Sequence, residues 1–382
     1  MKITDIRTIR LRAPLSTGGQ VHSRTGIRRH RYAVLIEVHT DQGITGIGSC
    51  SGNGQLIEVV VAEVLKPVLI GMDPCAIGSA WEQAYFGVGV RSFGSRGIGV
   101  VAMSGVDTAL WDIRGKAEGR PVYELLGGAC RNQVEVYATA LYPEAPAAVV
   151  EKALALAERG FRGIKIKVGF DLEQDIEIVG AVRQALGDAF PLMTDANMGY
   201  ELDVAQRAAA AFRELGSHWL EEPLFLEDVE GHARLKAQSG IPIALGENLQ
   251  MRFAFEGFLA RDAVDILQPD VARAGGITEV CNIAALAGEH QRAVSLHTYG
   301  DGIALAASLH LATAIENSAI MEFDCVENPL RSELLTEPLA PSRGIMKVPE
   351  GPGLGVTVDP SVLERYRHDG EDDLAVKERA LS

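Results

Sequence analysis

The amino-acid sequence predicts an α/β protein whose larger part is a (β/α)8 barrel, preceded by a smaller α+β region. Two observations predict the barrel: eight short apolar runs follow one another from about residue 133, and amphipathic helical stretches separate them at a fairly constant interval. The first 125 residues show no such alternation, which sets them apart. At 382 residues, the chain is long enough for a barrel of roughly 250 residues and an added domain.

Residues 1–125 are predicted to begin with strands and to continue with helices. Three segments alternate apolar and polar residues as strands do, "MKITDIRTIRLR", "YAVLIEVHTD" and "GITGIGSC", and the "DQG" between the last two predicts a hairpin turn. An antiparallel meander is therefore expected. A helix is expected in "SGVDTALWDIRGKAEGRPVYELLGG", with Ser104 as its N-cap and Gly127-Gly128 as its stop.

The eight apolar runs after residue 133 are the predicted barrel strands. They are "VEVYATA" (134–140), "GIKIKV" (163–168), "PLMTDA" (191–196), "HWLEEP" (218–223), "IPIALGE" (241–247), "VDILQPD" (264–270), "AVSLH" (293–297) and "SAIMEF" (318–323). A doubly wound open sheet is the competing interpretation, and it is less favoured because such sheets more often carry a glycine-rich phosphate loop after their first strand. The barrel is assigned to residues 126–330, and residues 331–382 form a C-terminal segment.

Charge and composition argue against several classes of protein. The formal net charge of −15 at pH 7 disfavours a nucleic-acid partner or an anionic membrane, because the overall field repels phosphates. The N-terminus has no apolar signal-peptide core and no stretch reaches the roughly 18 apolar residues of a membrane span, so a cytoplasmic protein is expected. The five cysteines are scattered without metal-site spacing, which disfavours a disulfide framework or a zinc site.

Carboxylates end the third, fourth and fifth runs. They are Asp195, Glu221 (or its neighbour Glu222) and Glu247, and 26 residues separate each from the next. Because the C-terminal ends of barrel strands meet at one rim, these carboxylates are predicted to converge, and such a cluster is costly unless a cation sits within it. Oxygen ligands suit a hard ion such as Mg²⁺. The alternative is that the acidic residues merely begin the loops.

The second run, "GIKIKVG", carries two lysines on one face. Residues two apart on a strand point the same way, so Lys165 and Lys167 are expected to enter the barrel mouth, while Ile164, Ile166 and Val168 face the helices. A neighbouring ammonium group and partial burial both lower the pKa of a lysine, which would suit a general base. The alternative is a structural pair of salt bridges.

The sixth to eighth runs close with further ionisable residues. His297 ends the seventh run, 27 residues after Asp270 at the end of the sixth, and an aspartate one strand away can orient a histidine and raise its basicity. His297 is therefore a second candidate base. Glu322 in the eighth run is expected either to donate, in its acid form, to a substrate oxygen or to form a structural ion pair. Asn197 in "TDAN" could hydrogen-bond the substrate, although such an asparagine is often only a turn residue.

Seven short motifs follow one another along the chain. They are "KIKVG", "TDAN", "WLEEP", "GEN", "QPD", "SLH" and "MEFD", and "ALWDIRGKAEGRPVYELLGG" precedes them. This series resembles the mandelate racemase subgroup of the enolase superfamily over nearly the whole chain. The resemblance implies an N-terminal capping domain that closes over the barrel and is completed by the C-terminal segment. It also implies assembly as a homo-oligomer, commonly an octamer or a dimer.

The resemblance further implies a set of site residues. One Mg²⁺ per subunit would bind Asp195, Glu221 and Glu247, with the first glutamate of "EEP" as the ligand, and the bases would be Lys167 and His297. Sites of this superfamily use a Lys or His base with Mg²⁺ to stabilise the ene-diolate that forms when a proton is removed. Removal of a proton next to a carboxylate creates charge that a divalent ion and nearby cations stabilise, so Lys165 would help to neutralise the substrate carboxylate.

The lid segment and the two bases bear on the substrate and the reaction. Residues 16–32, "STGGQVHSRTGIRRHRY", would cover the substrate, and His22 and Arg24 are predicted to bind it; such a basic segment suits hydroxyls or a second carboxylate better than an aromatic acid. A solvated basic loop is the alternative. The favoured reaction is dehydration of an aldonate or aldarate to its 2-keto-3-deoxy product, with His297 expelling the β-hydroxyl.

Two other functions stay open. A racemase or epimerase of a 2-hydroxy acid is one part of the runner-up, because two bases on opposite faces also permit that reaction. A sugar-lactone cycloisomerase is the other part, because the ending "MEFD…ENPLRSELLTEPL…GIMKVPEGPGLGV" resembles that of galactarolactone cycloisomerases in the same subgroup. A catalytically silent metal-binding relative is a third interpretation, which the retention of both Lys167 and His297 disfavours.

Overall fold

The strands of the N-terminal region form one sheet and one hairpin. The computed structural model describes residues 1–16, 21–23 and 26–370 of the chain. The first strands are β1 (Ile3–Pro14), β2 (Val21–Ser23), β3 (Gly26–Arg28), β4 (His30–Thr40) and β5 (Thr45–Cys50). Strands β1, β4 and β5 pair antiparallel in that order, which confirms the meander, and Gly43 supplies the positive φ (76°) of the "DQG" turn. Strands β2 and β3 pair with each other.

Helices pack against this sheet. They are α1 (Gly54–Val60), α2 (Lys66–Leu69), α3 (Ile77–Glu82), α4 (Val90–Ser92), α5 (Ile98–Glu118) and α6 (Val122–Leu125), with π-helical turns at Val61–Leu65 and Gln83–Gly89. Helix α5 approaches the sheet so closely that a Cβ atom on Gly48 of β5 would lie 1.9 Å from the carbonyl oxygen of Gly105. The glycine-rich strand "GITGIG" is therefore explained by the close approach of a helix backbone.

The limits of α5 differ from those predicted. The helix begins at Ile98, so Ser104 lies inside it and donates its hydroxyl to the carbonyl oxygen of Val100 (2.9 Å) instead of capping the first turn. Because the residues on both sides of Ser104 are buried, packing extends the helix past a residue that favours a cap. The helix ends at Gly119, whose left-handed backbone (φ 67°) stops it well before Gly127.

Parallel strands after residue 133 form the barrel, as the sequence predicts. They are β6 (Val134–Leu141), β7 (Ile164–Lys167), β8 (Leu192–Asp195), β9 (Ser217–Glu221), β10 (Ile243–Leu245), β11 (Ile266–Leu267), β12 (Ala293–Val294) and β13 (Met321–Asp324). Each strand from β6 to β12 pairs with the next, and β13 pairs with β6. A parallel bridge between Val294 and Ser318, just before β13, closes the ring, so the open-sheet alternative is wrong.

Helices alternate with these strands and cover the barrel. They are α7 (Pro146–Glu158), α8 (Leu172–Leu186), α9 (Leu202–Glu214), α10 (Val229–Ser239), α11 (Met251–Leu259), α12 (Gly276–Glu289) and α13 (Gly302–Ala314). Inside the barrel, Tyr137, Met193, Trp219 and Ala244 form a separate apolar cluster. Met193 and Trp219 lie two residues before Asp195 and Glu221 on the same strands, so this cluster is the floor beneath the charged mouth.

The C-terminal segment returns to the N-terminal region. It contains α14 (Pro329–Ser332), β14 (Ile345–Met346) and α15 (Pro360–Tyr366), and β14 pairs antiparallel with β6. Beyond α15, Arg367 bridges Leu11 of β1, and the backbone N–H of His368 donates to the carbonyl oxygen of Arg10 (2.9 Å). The C-terminal segment thus completes the capping domain.

Two sets of polar contacts fix the capping domain on the barrel. Asp107 of α5 accepts hydrogen bonds from the backbone N–H (2.9 Å) and hydroxyl (2.6 Å) of Thr278 in α12. Near the mouth, Arg31 of β4 pairs with Asp324 at the end of β13 (3.0 Å). Within the described part of the chain, no helix combines the length and apolar character needed to cross a membrane.

Candidate active site

The rim of the barrel collects the charged residues that end the strands. Asp195 and Glu221 are the last residues of β8 and β9, and the parallel register aligns Lys167 with Asp195 and Asp195 with Glu221. Glu247 follows shortly after β10, which ends at Leu245. Side chains that point inward from aligned positions of neighbouring strands must meet at the rim.

Asp195, Glu221 and Glu247 form a compact carboxylate cluster. One oxygen of each lies within 4.8 Å of the others, and all three side chains are buried. Burial, and then the negative charge of Asp195, raises the pKa of Glu221 to about 8, although Lys165 acts in the opposite direction. Three oxygen donors with excess negative charge fit a hard divalent cation, so this cluster could hold a metal ion.

Glu222 lies outside the cluster. It adopts a positive φ (38°), and its Oε2 accepts a hydrogen bond from Asn248 Nδ2 (2.8 Å), which also donates to Glu247 Oε1 (3.2 Å). Burial, and then Glu247, raises the pKa of Glu222 to about 8. The structure therefore brings the first glutamate of "EEP", Glu221, to the other two carboxylates.

Lys165 and Lys167 lie on one face of β7, at different depths. Lys165 is 0% exposed, and its Nζ lies 2.6 Å from Glu221 Oε1, 3.2 Å from Asp195 Oδ2 and 3.1 Å from Glu322 Oε1. The Nζ of Lys167 lies 2.5 Å from Asp195 Oδ2 and 2.7 Å from Asn197 Oδ1, and Lys167 lines the cavity of the mouth. Lys165 thus supports the cluster from below, while Lys167 faces the space where a substrate would bind.

The prediction that the two lysines have lowered pKa values is wrong for this arrangement. Burial lowers the pKa of each ammonium group, and Lys165 also lowers that of Lys167. The attraction of Asp195 for Lys167, and of Glu221 and Glu322 for Lys165, outweighs these effects and raises both pKa values. The carboxylates come from other strands, so the pattern within "GIKIKVG" does not reveal them.

His297 lies among three carboxylates. Its Nδ1 is 2.6 Å from Asp270 Oδ2, and its Nε2 is 2.8 Å from Glu247 Oε2 and 3.5 Å from Glu322 Oε2. Burial would lower the pKa of His297, but Glu247, Glu322 and Asp270 together raise it well above its ordinary value. Asp270 is therefore placed to orient the ring, and His297 is placed to act as a proton donor.

Glu322 stands between the two basic sides of the site. Its Oε1 faces Lys165 and its Oε2 faces His297, where the backbone N–H of Thr298 also donates to Oε2 (3.3 Å). Glu322 lines the cavity as well. It is the one carboxyl group, among the described residues of the mouth, that pairs with both Lys165 and His297.

Two residues that hold Glu221 were not identified from the sequence. Gln268 Nε2 and Trp219 Nε1 both donate to Glu221 Oε2, at 2.7 and 3.2 Å. Both lie two residues before an ionisable residue of the rim, since Trp219 precedes Glu221 and Gln268 precedes Asp270. The same period-two pattern that identified the lysines could therefore have identified them.

A cavity with two lobes opens above the carboxylates. The inner lobe, about 290 Å³, is lined by Lys167, Asn197, Glu247 and Glu322 together with their neighbours. The outer lobe, about 410 Å³, lies beneath residues 28–32 and 51–53 of the capping domain. Both lobes share Arg28, Arg273, His297 and Tyr299, which form the waist between them.

The structure places one of the three predicted substrate-binding residues in the cavity and does not describe the side chains of the other two. Asn197 lines the inner lobe, and its Nδ2 donates to Glu247 Oε1 (2.8 Å). The backbone of His22 belongs to β2, but its side chain lies outside the described residues, as does the whole of Arg24. From the same basic segment, the structure brings Arg28 to the cavity.

Known proteins resemble this chain over almost its whole length. Residues 6–127 match the family "Mandelate racemase / muconate lactonizing enzyme, N-terminal domain", and residues 148–362 match "Enolase C-terminal domain-like". The chain is 38% identical over 379 residues to a D-galactarolactone cycloisomerase of Agrobacterium fabrum, covering 96% of this chain and 99% of that protein. It is 33% identical over 373 residues to an arabinonate dehydratase of Saccharolobus solfataricus, with the same two coverages of 96% and 99%. The solved structure of a racemase from Streptomyces coelicolor with bound magnesium has a TM-score of 0.87 and 31% identity, covering 96% of this chain and all of that one.

Proposed function

We propose, since this chain belongs to the mandelate racemase subgroup of the enolase superfamily, that it removes the proton next to the carboxylate of an acid sugar and then expels the β-oxygen. One observation carries the proposal. Lys167 on β7 and His297 beyond β12 both line the inner lobe, and both lie beside the cluster of three carboxylates. Two basic side chains facing one cavity from separate strands suit a reaction with two proton transfers.

Asp195, Glu221 and Glu247 would hold one Mg²⁺ per subunit, because their oxygen donors and excess negative charge suit that ion. Bound there, the ion would stabilise the charge that develops on the substrate carboxylate and would compete with Lys167 for Asp195. Lys165 lies behind the cluster and adds a fixed positive charge that the solvent does not screen.

The surroundings of the two bases suggest different roles. Lys167 reaches the cavity and is proposed to remove the proton as a neutral amine, a form that a cation bound by Asp195 would favour because it would weaken the attraction of Asp195 for the ammonium group. His297 carries a raised pKa and is oriented by Asp270, so it is proposed to protonate the leaving β-oxygen. Glu322 lies between the two sides and is proposed to hydrogen-bond a substrate oxygen. Asn197 holds Lys167 through its Oδ1 and is proposed to contact the substrate in the inner lobe.

The favoured reaction is dehydration of an aldonate or aldarate. When the β-oxygen is a free hydroxyl, elimination releases water, and the resulting enol becomes a 2-keto-3-deoxy acid. The arabinonate dehydratase supports this reading, because its name states dehydration of an acid sugar and its alignment spans both domains.

A cycloisomerase is the second candidate, favoured by the 38% identity to the D-galactarolactone cycloisomerase. The same two proton transfers apply when the β-oxygen belongs to a ring. The bond to the β-carbon then breaks while the oxygen stays attached elsewhere in the molecule, so the product is an isomer of the substrate.

A screen of acid sugars tests the proposal. Aldonates, aldarates and their lactones are incubated with the enzyme and Mg²⁺. Keto acids are detected as semicarbazones, and the masses of the products are measured by mass spectrometry. A keto acid lighter by one water supports dehydration, whereas a keto acid of unchanged mass supports the cycloisomerase. Exchange of the α-proton with solvent but no keto acid from any compound would overturn β-elimination and indicate racemisation.

Assembly, location and domain division remain predictions. We expect a cytoplasmic homo-oligomer, either a dimer or an octamer, which light scattering of the purified protein measures. The division into residues 1–125, 126–330 and 331–382 is expected to appear as resistant fragments in limited proteolysis.

A further inference from the structure

We infer that the substrate carries a second carboxylate at the end remote from the reacting one, so that it is a dicarboxylic acid sugar whose remote end lies between Arg28 and Arg273. The inference rests on the proposed function, which places an acid sugar in this cavity. It narrows that function from acid sugars in general to aldarates.

Arg28 and Arg273 stand at the waist of the cavity. Each lines both lobes, one from the capping domain and one from the barrel. Arg273 donates through Nη2 to Asn248 Oδ1 (3.0 Å), which is a neutral acceptor. In the part of the chain that the structure describes, neither guanidinium forms an ion pair with a carboxylate. Two positive charges therefore face the cavity without a protein anion to balance them.

The acidic residues of the outer lobe already have partners. Asp270 pairs with His297 (2.6 Å). Asp301 accepts hydrogen bonds from the backbone N–H groups of Ile303 (2.8 Å) and Ala304 (3.1 Å) at the start of α13. Within the described ranges, neither Asp270 nor Asp301 forms an ion pair with Arg28 or Arg273.

Arg31, a third arginine of the outer lobe, is neutralised in place. It is buried, and its Nη2 lies 3.0 Å from Asp324 Oδ2. An arginine in this region can thus have a carboxylate partner, as Arg31 does, whereas Arg28 at the waist has none among the described residues. A waist with surplus positive charge, in a chain of net charge −15, indicates an anionic ligand.

The two lobes give the ligand a direction. The reacting carboxylate belongs in the inner lobe, next to Lys167 and Glu247. A sugar chain that runs outward past His297 brings its far end to Arg28 and Arg273. A carboxylate there can accept charge-assisted, two-point hydrogen bonds from a guanidinium, whereas a hydroxymethyl group leaves both charges unpaired.

Binding to an inactive variant tests this inference apart from catalysis. In Lys167→Ala protein with Mg²⁺, calorimetry compares galactarate with D-galactonate and D-glucarate with D-gluconate, pairs that differ only at one terminal group. The matched aldarate is expected to bind roughly 10- to 100-fold more tightly, the range of one or two charge-assisted hydrogen bonds. Adding Arg28→Gln should remove most of that preference, Arg28→Lys should restore part of it, and Arg207→Gln, an exposed arginine of α9, should leave it unchanged.

Two outcomes overturn the inference. One is equal or weaker binding of both aldarates relative to their aldonates, and the other is a loss of affinity on Arg28→Gln that is equal for the two members of a pair. The acid-sugar screen with wild-type enzyme decides the proposed function separately, since a preference for aldonates there would contradict this inference and leave β-elimination standing.

Discussion

Lys165 and Arg183 are two buried cations of one barrel with opposite surroundings. Lys165, at the mouth, lies among Asp195, Glu221 and Glu322. Arg183, in the last turn of α8 at the other end, donates to backbone carbonyl oxygens of the loops before β8 and β9. Its acceptors are Gly187 (2.8 Å), Asp188 (3.3 Å), Phe190 (2.7 Å), Leu215 (2.8 Å) and Gly216 (2.9 Å).

The difference between these surroundings indicates that the Arg183 end of the barrel serves stability and that the mouth serves function. Carbonyl groups do not titrate or bind Mg²⁺ in competition with Arg183, so that end of the barrel should contribute the same stability at every ordinary pH. The mouth buries carboxylates and ammonium groups that interact strongly and raise or lower one another's pKa values. Such a site is costly for folding and suited to a cation and to proton transfer.

Removing a base at the mouth should have the largest effect. Lys167→Ala and His297→Asn are each expected to lower kcat about 10²- to 10⁴-fold on the substrate that the screen identifies, the usual range for a general acid or base. The thermal midpoint should change little by comparison. Lys152→Ala, an exposed lysine of α7, is the control. A large loss of thermal stability with kcat intact would show instead that the mouth residues serve only structure.

Removing Arg183 should lower the stability and leave catalysis unchanged, the reverse of the effect expected at the mouth. Arg183→Met leaves buried carbonyl groups without their donor and is expected to cost about 3 kcal/mol of unfolding free energy, with kcat of the folded enzyme unchanged. The loss should be the same at pH 6 and pH 8, measured by chemical denaturation. Arg207→Met serves as the surface control. A loss that varies strongly with pH would mean that ionised groups contribute at this end too.

Metal should stabilise the mouth. If Mg²⁺ binds the folded protein alone, a concentration 100 times its Kd adds about 2.7 kcal/mol to the free energy of unfolding, seen as a rise in thermal midpoint. The rise should persist in Arg183→Met and disappear in Glu247→Gln. Asp262→Asn, an exposed carboxylate paired with Lys236, should retain it. An equal rise in Glu247→Gln would place the ion elsewhere.

A buried histidine, His310, shows whether a group with only neutral partners can still make the folding stability depend on pH. It is buried, its Nδ1 accepts from the backbone N–H of Tyr123 (3.2 Å) and its Nε2 faces the carbonyl oxygen of Leu354 (3.1 Å). Burial lowers the pKa of His310 to about 4. Between about pH 4 and pH 6.5 the folded ring therefore holds fewer protons than the unfolded one, so stability falls as pH falls.

The expected loss is about 2 kcal/mol between pH 7 and pH 5, the smallest of these effects. Unfolding free energies of the wild type and of His310→Gln, measured at both pH values, isolate it: the difference between the two proteins should shrink toward pH 5. A constant difference would mean that the ring is already charged in the folded protein.

The local sequence pattern was enough to predict the order of the barrel strands and the residues that meet at the rim. The runs that end in Asp195, Glu221 and Glu247 could be recognised because strand length and loop length repeat, and parallel register then brings their ends together. Side-chain environments could not be predicted in this way. Ser104 lies inside α5 because distant residues bury that helix, and Lys167 has a raised pKa because Asp195 comes from the next strand.

The arrangement of residues at the waist of the cavity also could not be predicted from the sequence. Arg28 belongs to the basic segment 16–32 that the sequence predicts as a lid, but whether it lines the same cavity as Arg273 depends on how the capping domain meets the barrel. The contacts between α5 and α12 that set this position join residues far apart in the chain, such as Asp107 and Thr278.

Exchange of the substrate α-proton with D₂O, followed by NMR, tests most directly whether Lys167 removes the proton and His297 expels the β-oxygen. With Mg²⁺ and the identified substrate, Lys167→Ala should abolish exchange together with product formation. His297→Asn should retain exchange while losing product, because Lys167 can still remove and return the proton. Exchange at the wild-type rate in Lys167→Ala, or its loss in His297→Asn, would contradict this division of roles.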